Sequence, residues 1–568
     1  MIRLSNALRT APFALALGLA ACGGSDEEAA LPQLSAATGA TLRSCAGLAG
    51  SFSFANTTIS AATDVAAGTL TVAGQPVPAH CRVTGSMYPR TSSVDGQTYA
   101  IAFEMRLPVN WNGRYFYQAN GGTDGAVGTA TGGVGGGGPL TNALAQGFAV
   151  ISSDAGHNGA QNPTFGIDPQ ARQDYGYQAV GKLTPMAKGL IQAAYGKGPD
   201  RSYLGGCSNG GRHAMVAIER YGDQYDGILV GDPGTVLPRA AIANMAGAQA
   251  YSALATTTDI STGFTQPERA LVSKAVLAKC DALDGATDGL VQATESCQAA
   301  FNLDRDVPTC TGARDGTCLS AAQKTAIAPL FAGVKTSSGT LIYSSFPYDA
   351  GLATNGWASW KFVNSISTAR DPGAIAFIWQ VPPADPTGFD GRSFALGSNI
   401  DKLYAAIQAT STVYVENALS FMTPPHIEQA DTVRNRGGKV MIYHGTSDPI
   451  FSSDHSVSVW KTWNATYAGK AADFARLYLV PGMNHCSGGP STDQFDMLTP
   501  LVNWVEKGQA PDSVVAAARG TGNPGGVNTD VPATWSPTRT RPLCTYPQVA
   551  RLKAGATDLE SASSFSCQ

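Results

Sequence analysis

Residues 202–212 read Ser-Tyr-Leu-Gly-Gly-Cys-Ser-Asn-Gly-Gly-Arg. A short apolar run leads into the central Gly-Cys-Ser-Asn-Gly segment, and a helix-forming run follows at residues 214–221. The segment matches G-x-S-x-G, in which a strand turns sharply into a helix and leaves the serine hydroxyl at the apex. Gly206 and Gly210 have no Cβ, so the backbone can turn tightly on both sides of the serine. The stretch therefore predicts a nucleophile elbow with Ser208 at its apex.

A serine nucleophile needs a histidine base and an acid that orients the histidine. In chains with this elbow, the acid and then the histidine follow the serine in sequence. Asp448 follows one strand-like apolar run, and His485 follows the next one after a Pro-Gly-Met-Asn turn. We predict Ser208, Asp448 and His485 as the catalytic residues. Asp454 is the alternative acid, although it lies in a predicted helix, and His455 beside it is expected at the surface.

The oxyanion of the tetrahedral intermediate requires two backbone N–H donors. One is expected from Asn209, the residue directly after the nucleophile. The other is expected from the loop after an early strand, which the apolar residues 114–118 predict. Gly121 or Gly122 follows that strand, and we predict Gly121 as the second donor.

Strand-like runs alternate with helix-forming stretches, which indicates a parallel sheet with crossover helices. The predicted strands lie at 99–109, 114–118, 147–152, 227–232, 439–444 and 476–480. About two hundred residues separate the run at 227–232 from the run at 439–444, far more than a crossover helix needs. We predict an α/β-hydrolase fold built from residues 41–233 and 433–568. A large inserted lid domain, residues 234–432, is expected above the elbow, where it would shape a substrate pocket.

The N-terminus carries a processing signal. A positive charge precedes the apolar run 11–21, which is too short to cross a bilayer as a mature helix. Leu-Ala-Ala-Cys at 19–22 resembles a bacterial lipobox, so residues 1–21 are predicted as a lipoprotein signal peptide with a lipid on Cys22. Residues 22–40 would form a tether. We expect an exported protein, either an outer-membrane lipoprotein of the cell envelope or, with Cys22 left free, a secreted one.

Export implies an oxidising compartment in which cysteines pair. Ten of the eleven cysteines remain when Cys22 is set aside, and their number alone leaves the connectivity open. Short loops favour four pairs: Cys45–Cys81, Cys280–Cys297, Cys310–Cys318 and Cys544–Cys567. Cys207 and Cys486 are left, and they adjoin Ser208 and His485. A bridge between them, with Cα atoms about 5.5 Å apart, would hold the serine and histidine together.

Residues 280–290, Cys-Asp-Ala-Leu-Asp-Gly-Ala-Thr-Asp-Gly-Leu, space three carboxylates with turn glycines. Oxygen ligands in a compact loop suit Ca²⁺, although the spacing is not that of an EF-hand. We predict a structural Ca²⁺ in the lid, with a solvated acidic turn as the alternative. The expected ligands are the carboxylates of Asp281, Asp284 and Asp288 and the carbonyls of Ala286 and Leu290.

The Cys-Ser elbow, Asp448 and the run Pro-Gly-Met-Asn-His-Cys-Ser-Gly-Gly-Pro at 481–490 resemble the tannase/feruloyl esterase family. The resemblance covers essentially the whole mature chain. It implies an α/β-hydrolase domain with a lid, cleavage of esters of aromatic acids, and a disulfide between the cysteines beside the catalytic serine and histidine. It also implies the same local disulfides and a calcium loop closed by Cys280–Cys297.

Some members of this family bind a free carboxylate of the substrate with a lid arginine, whose planar fork contacts both oxygens. Arg370 is the candidate equivalent, although the segment after Trp360 is shorter here. If Arg370 points away, gallate or hydroxycinnamate esters become the expected substrates in place of terephthalate monoesters. Trp360 and Phe451 are candidate walls for an aromatic ring, with a role in the core as the alternative.

The composition limits the classes of partner. Only 14% of residues are charged and the net charge is −4, which argues against nucleic acid as a partner. We expect a monomer that acts on a small aromatic ester and meets a membrane only through a lipid on Cys22. A non-catalytic surface binding protein on a hydrolase fold is the alternative, and a peptidase on the same fold is the third possibility.

Overall fold

A nine-stranded mixed sheet lies at the centre of residues 30–568, the part of the chain that the computed structural model describes. Its strands are β1 Thr57–Val65, β2 His80–Thr91, β3 Thr98–Pro108, β4 Arg114–Gln118, β5 Ala149–Ser153, β6 Arg201–Cys207, β7 Gly227–Gly231, β8 Lys439–Gly445 and β9 Ala475–Val480. Across the sheet the order is β9-β8-β7-β6-β4-β5-β3-β2-β1. Strands β4 to β9 pair in parallel, whereas β1, β2 and β3 pair antiparallel.

Seven helices of the described residues have ten or more residues: α1 Ala179–Tyr195, α2 Asn209–Arg220, α3 Leu237–Leu254, α4 Gln266–Cys280, α5 Ala321–Ala332, α6 Ser453–Thr466 and α7 Leu498–Lys507. Shorter α-helices are Leu48–Ser51, Pro169–Gln173, Thr294–Ala300, Leu303–Asp306, Asn355–Ala358, Asp371–Gly373, Gly391–Gly397, Ile400–Ala406, Ala418–Met422 and Asp431–Asn435. Small sheets outside the central one comprise Ala40–Thr41, Thr71–Val72, Gln75–Pro76, Asn110–Trp111, Gln494–Phe495, Ser513–Ala517, Thr540–Cys544, Ala550–Leu552 and Phe565–Cys567.

The two faces of the central sheet are both covered, and successive side chains of each strand alternate between them. Leu204 and Ile228 belong to an apolar cluster that also contains buried residues of α1, α2 and α6. Tyr203 and Leu229, one position away, belong to a second cluster with residues of α7. The strands therefore form the middle layer of three, as an α/β fold requires.

The carboxyl ends of β6, β7, β8 and β9 share one edge of the sheet, because these strands run parallel in register. Open α/β sheets bind ligands beyond this edge. Helices α3, α4 and α5 lie in the long connection between β7 and β8. One apolar cluster of this connection includes Ile450 and Phe451, which follow β8, so the helical connection contacts the functional edge.

The prediction of a free tether over residues 22–40 is wrong for its C-terminal part. The signal peptide and Cys22 lie outside the described residues, but the segment after residue 30 is attached to the rest of the fold. Gln33 donates to the carbonyl of Val505, the Ala37 N–H donates to Glu506, and Ala40–Thr41 pairs with Asn110–Trp111. Small polar residues suggested a free linker, whereas these hydrogen bonds fix it. No helix within residues 30–568 combines the length and the apolar character that a membrane span requires.

Candidate active site

Ser208 lies at the apex of a sharp turn between β6 and α2. Its backbone is left-handed, with φ 66° and ψ −126°, a conformation that costs a non-glycine residue free energy and marks functional turns. Gly206 and Gly210 are needed for a second reason as well. A Cβ on either would lie 2.4 Å from the carbonyl oxygen of Ala119, so the glycines let the loop after β4 approach the elbow.

The structure brings the three predicted catalytic side chains together. His485 Nε2 lies 2.8 Å from Ser208 Oγ, and His485 Nδ1 lies 2.7 Å from Asp448 Oδ2. The other oxygen of Asp448 accepts the N–H groups of Ile450 and Phe451 at 2.8 and 3.0 Å. These bonds fix the carboxylate, which in turn orients the imidazole toward Ser208. The alternative acid, Asp454, instead accepts a hydrogen bond from Ser345.

Electrostatics in the buried site favour the charge distribution that proton transfer needs. Burial would raise the pKa of Asp448, but His485 and His444 beside it lower the pKa below its ordinary value. Burial would lower the pKa of His485, but the adjacent Asp448 carboxylate raises it above its ordinary value. Asp448 is thus kept ionised, and an imidazolium at His485 is stabilised after it takes the proton of Ser208.

A disulfide joins Cys207 to Cys486, with the Cα atoms 6.1 Å apart. It ties the residue before Ser208 to the residue after His485. The other bridges in the described residues are also those predicted from the sequence: Cys45–Cys81, Cys280–Cys297, Cys310–Cys318 and Cys544–Cys567.

The loop after β4 lies beside the nucleophile, as predicted for the oxyanion donors. A Cβ placed on Gly121 would lie 3.7 Å from Ser208 Cβ, so the Gly121 backbone faces the elbow closely. Asn209 begins α2, where backbone N–H groups have no partner within the helix. Both predicted donors therefore adjoin Ser208.

Two aromatic side chains contact His485, and an arginine lies near the loop after β4. The rings of Trp360 and Phe451 each meet the imidazole of His485 edge to face, with centroids 5.3 Å apart. Arg370 is exposed, and its Nη1 lies 3.5 Å from where a Cβ on Gly122 would be. The arginine therefore points toward the loop after β4, in which Gly121 is the predicted oxyanion donor.

Two buried residues behind Asp448 were not predicted. His444 Nε2 lies 2.9 Å from the Phe451 carbonyl and 3.5 Å from Asp448 Oδ2, and Asp232 Oδ1 lies 3.8 Å from the same nitrogen. Asp232 also accepts the N–H of Gly445 at 2.7 Å. Ligand atoms of Asp232, His444 and Asp448 cluster closely enough to hold a metal ion as well. Strand register could have revealed Asp232, because it follows β7 directly beside β8.

The predicted metal loop joins two distant parts of the chain. Asp281 accepts the N–H of Asp288 at 3.0 Å, and one oxygen of Asp284 accepts the N–H of Ala286 at 2.9 Å. The other Asp284 oxygen is buried without a hydrogen-bond partner. Burial, reinforced by the two neighbouring carboxylates, raises the pKa of Asp284 to about 7. This orphaned oxygen, with two carboxylates in its neighbourhood, fits a bound cation.

The loop also contacts the C-terminal part of the chain. Asp288 forms an ion pair with Arg541, and both side chains are completely buried. Arg539 donates to the Asp288 carbonyl at 2.6 Å. Asp288 therefore already has one positive partner from the C-terminal strand Thr540–Cys544, which its position in the sequence did not indicate.

Residues 81–568 match the family described as "Tannase and feruloyl esterase". The chain belongs to the tannase and feruloyl esterase family. The predicted family membership is confirmed, and it places the Cys-Ser elbow and the His-Cys pair in one known group of enzymes.

Relatives within the tannase and feruloyl esterase family span most of the chain. Mono(2-hydroxyethyl) terephthalate hydrolase of Piscinibacter sakaiensis is 39% identical over 535 residues, which cover 88% of this chain and 86% of the relative. Probable feruloyl esterase B-2 of Aspergillus flavus is 26% identical over 469 residues, 78% of this chain and 81% of its own length.

Solved structures of similar proteins confirm the predicted α/β-hydrolase fold. Feruloyl esterase B from Aspergillus oryzae has a TM-score of 0.73 at 23% identity, covering 92% of this chain and 99% of that structure. Tannin acyl hydrolase from Aspergillus niger has a TM-score of 0.63 at 19% identity, with 91% and 92% covered.

Proposed function

We propose that this protein is a serine carboxylic-ester hydrolase that cleaves esters of aromatic acids through an acyl-enzyme. The observation that carries the proposal is the continuous chain of hydrogen bonds Ser208–His485–Asp448, at 2.8 and 2.7 Å. Family membership supports the same reaction class, since members similar to this chain are esterases.

In the proposed mechanism, Ser208 Oγ attacks the ester carbonyl carbon while His485 Nε2 takes the hydroxyl proton. The tetrahedral intermediate then expels the alcohol, which receives that proton from His485, and an acyl-enzyme remains on Ser208. Water, deprotonated by His485, attacks the acyl carbonyl, and collapse of the second intermediate releases the acid and restores Ser208. Asp448 holds the imidazole in the required tautomer throughout and is not itself protonated.

The oxyanion of each intermediate is proposed to accept hydrogen bonds from the backbone N–H groups of Gly121 and Asn209. The close approach of Gly121 to Ser208 and the free first turn of α2 support this assignment. Losing one such donor costs about 2.7–4 kcal/mol of transition-state stabilisation.

The substrate is proposed to be an aromatic ester whose ring lies between Trp360 and Phe451. Their edge contacts to His485 put both rings beside the reacting atoms. Arg370, pointing to the oxyanion loop, would bind a second carboxylate of the acid, which favours a terephthalate monoester. The relative named for mono(2-hydroxyethyl) terephthalate supports this choice over gallate and hydroxycinnamate esters.

Residues 234–432 are proposed to act as a lid over the catalytic body, residues 41–233 and 433–568. The position of Trp360 and Arg370 beside residues of the catalytic body supports this division. A lid of this kind shapes the pocket and excludes water from the reaction.

Ca²⁺ is proposed as a structural ion of the loop 280–290. Carboxylates of Asp281, Asp284 and Asp288, with the carbonyls of Ala286 and Leu290, would hold it. The unsatisfied Asp284 oxygen supports a cation at this position. Because the loop is remote from the reacting atoms in sequence and bonded to the C-terminal strand, the ion would stabilise the fold and take no part in the reaction.

Export across the inner membrane is proposed from the signal-like N-terminus and the disulfides. Five bridges within residues 30–568 form readily only in an oxidising compartment. Lipid attachment at Cys22 would make the protein an outer-membrane lipoprotein, and otherwise it would be secreted.

The deciding experiment compares wild type with Ser208→Ala on p-nitrophenyl acetate and on mono(2-hydroxyethyl) terephthalate, methyl gallate and methyl ferulate. We expect turnover only in wild type, with the terephthalate monoester as the preferred aromatic substrate. Equal rates of ester hydrolysis with wild type and with Ser208→Ala would rule out the acyl-enzyme mechanism at Ser208. If those rates also equal the rate without protein, the alternative of a non-catalytic binding protein is left. Turnover of gallate or ferulate alone would instead indicate a tannase or feruloyl esterase.

A further inference from the structure

Asp124 lies three residues beyond Gly121, in the same loop, and was not identified from the sequence. Its backbone is left-handed, with φ 53°, and its side chain is 2% exposed. The side chain points toward the first turns of α2, the helix that begins at Asn209. The loop that supplies one proposed oxyanion donor therefore directs a buried carboxyl toward the helix that supplies the other.

One oxygen of Asp124 accepts two hydrogen bonds from α2. Asn209 Nδ2 and His213 Nε2 each lie 2.8 Å from Asp124 Oδ2. The bond from Asn209 comes from the side chain of the very residue whose backbone N–H is the proposed donor. The loop and the helix are thus joined by side chains at the two points that must face a common oxyanion.

The Asn209 amide is held on its other side as well. Its Oδ1 accepts from Arg212 Nε at 2.6 Å, and the buried Arg212 donates to the carbonyls of Gly176 and Tyr175 at 2.7 and 3.0 Å. These contacts leave Asn209 one orientation, with its NH₂ directed to Asp124. The amide cannot rotate away without leaving a buried guanidinium nitrogen unpaired.

The charged and titratable groups near Asp124 include His157, Arg212 and His213. Burial raises the pKa of Asp124 to about 7, against the opposing effects of His157 and Arg212. Burial and Arg212 keep the pKa of His213 well below its ordinary value, so His213 donates as a neutral imidazole. Asp124 Oδ2 can accept both hydrogen bonds whether the carboxyl group is ionised or is protonated on its other oxygen. The side-chain oxygen of an asparagine at this position could accept the same two bonds.

We propose that Asp124 is a positioning residue, which fixes the distance between the backbone N–H groups of Gly121 and Asn209 by bridging the loop to Asn209 and His213. The inference rests on the proposed esterase function. Without the bridge, the loop after β4 and the start of α2 can separate. A displacement of about 1 Å at such donors costs roughly 100-fold in rate.

The first test compares Asp124→Ala with Asp124→Asn on p-nitrophenyl acetate. For Asp124→Ala we expect kcat to fall about 10- to 100-fold with KM within about threefold of wild type, because the donors act in the transition state. Asp124→Asn keeps an oxygen acceptor for both donors, so kcat should stay within about threefold. An aryl boronic acid, which forms a tetrahedral adduct on serine, should lose affinity in Asp124→Ala by the same factor as kcat. The affinity of the product acid should stay unchanged.

Asn209→Ala removes the same hydrogen bond from the other side and covers the case in which Asp124→Ala does not fold. The double variant should be no slower than the slower single variant, because both changes break one link. Asp154→Ala is the matched control. Asp154 is another buried carboxyl on a nearby loop, accepting backbone N–H groups of Ala102 and Gly156. Its loss should lower the melting temperature and leave kcat unchanged.

Four results would overturn the inference: full kcat in Asp124→Ala, a loss carried by KM, additive effects in the double variant, or an equal loss of kcat in Asp154→Ala. Wild-type protein without Ser208-dependent turnover would overturn the proposed function, and this inference with it. Full activity in Asp124→Ala would overturn the inference alone.

Discussion

Replacing Arg370 with alanine should separate substrates that carry a free carboxylate from those that do not. The guanidinium is exposed and lies against Gly122, one residue from the proposed donor Gly121. In a terephthalate acyl group on Ser208, the second carboxylate lies across the aromatic ring from the ester carbonyl. Arg370 is proposed to bind that carboxylate, which gallate and ferulate esters lack.

The size of the effect follows from the exposure of Arg370. A hydrogen bond to a charged group contributes about 1.5–3 kcal/mol, and solvent screening at an exposed site favours the lower half. A loss of about 1.5–2 kcal/mol corresponds to a kcat/KM lower by roughly 10- to 30-fold. Arg370→Lys keeps the positive charge and loses the planar fork, so we expect an intermediate loss.

The assay measures kcat/KM for mono(2-hydroxyethyl) terephthalate and for its methyl-capped diester, in which the second carboxyl is uncharged. Only the acid should lose rate in Arg370→Ala, and the difference should shrink as salt is raised. Arg305→Ala is the control, because Arg305 is an exposed arginine of the same connection that pairs with Asp306. An equal loss on both substrates, or none on the acid, would refute the proposed carboxylate contact.

Three further outcomes are expected. Asp448→Asn removes the carboxylate that raises the pKa of His485, so the acidic limb of the kcat/KM–pH profile should move to lower pH. The plateau of kcat/KM should fall by about three to four orders of magnitude. An acidic limb that does not move would contradict the ion pair between Asp448 and His485. The double variant Cys207→Ala/Cys486→Ala should lose about 2–5 kcal/mol of stability in denaturant titrations, together with kcat; wild-type kcat would show that the bridge does not position the triad. A calcium chelator should lower the melting temperature of wild type and leave that of Asp284→Asn unchanged; equal shifts in both would argue against an ion at Asp284.

The triad could be predicted because each member follows a recognisable local signal. Ser208 lies in a motif, and Asp448 and His485 follow apolar runs that become adjacent parallel strands. Parallel strands bring the residues after their carboxyl ends to one edge of the sheet. The order of the residues in the chain and the positions of the strand ends were therefore sufficient to predict that the three residues meet. The disulfide Cys207–Cys486 followed from the same reasoning, because its cysteines adjoin two of the predicted residues.

Apart from Asp232, which strand register could have revealed, the residues that support the triad could not be predicted, because their partners are set by packing between distant segments. Asp124 meets His213 across 89 positions, and His444 meets Asp232 across the register of two strands. Aspartate and histidine in loops are equally common on solvated surfaces, so neither residue type nor spacing distinguishes them. The attached segment after residue 30 was missed for the same reason, since its hydrogen bonds go to Asp200, Val505 and Glu506.

The ion pair between Asp288 and Arg541 also has a consequence for the order of folding. The two residues are 253 positions apart, and neither side chain reaches water in the folded protein. A chain emerging from the ribosome or the translocon therefore carries Asp288 without this counter-charge until Arg541 has appeared. Removing the segment that contains Arg541 would leave Asp288 buried without its counter-charge, a change that costs about 3–5 kcal/mol. Arg541 therefore stabilises, late in synthesis, a helical region that was synthesised long before it.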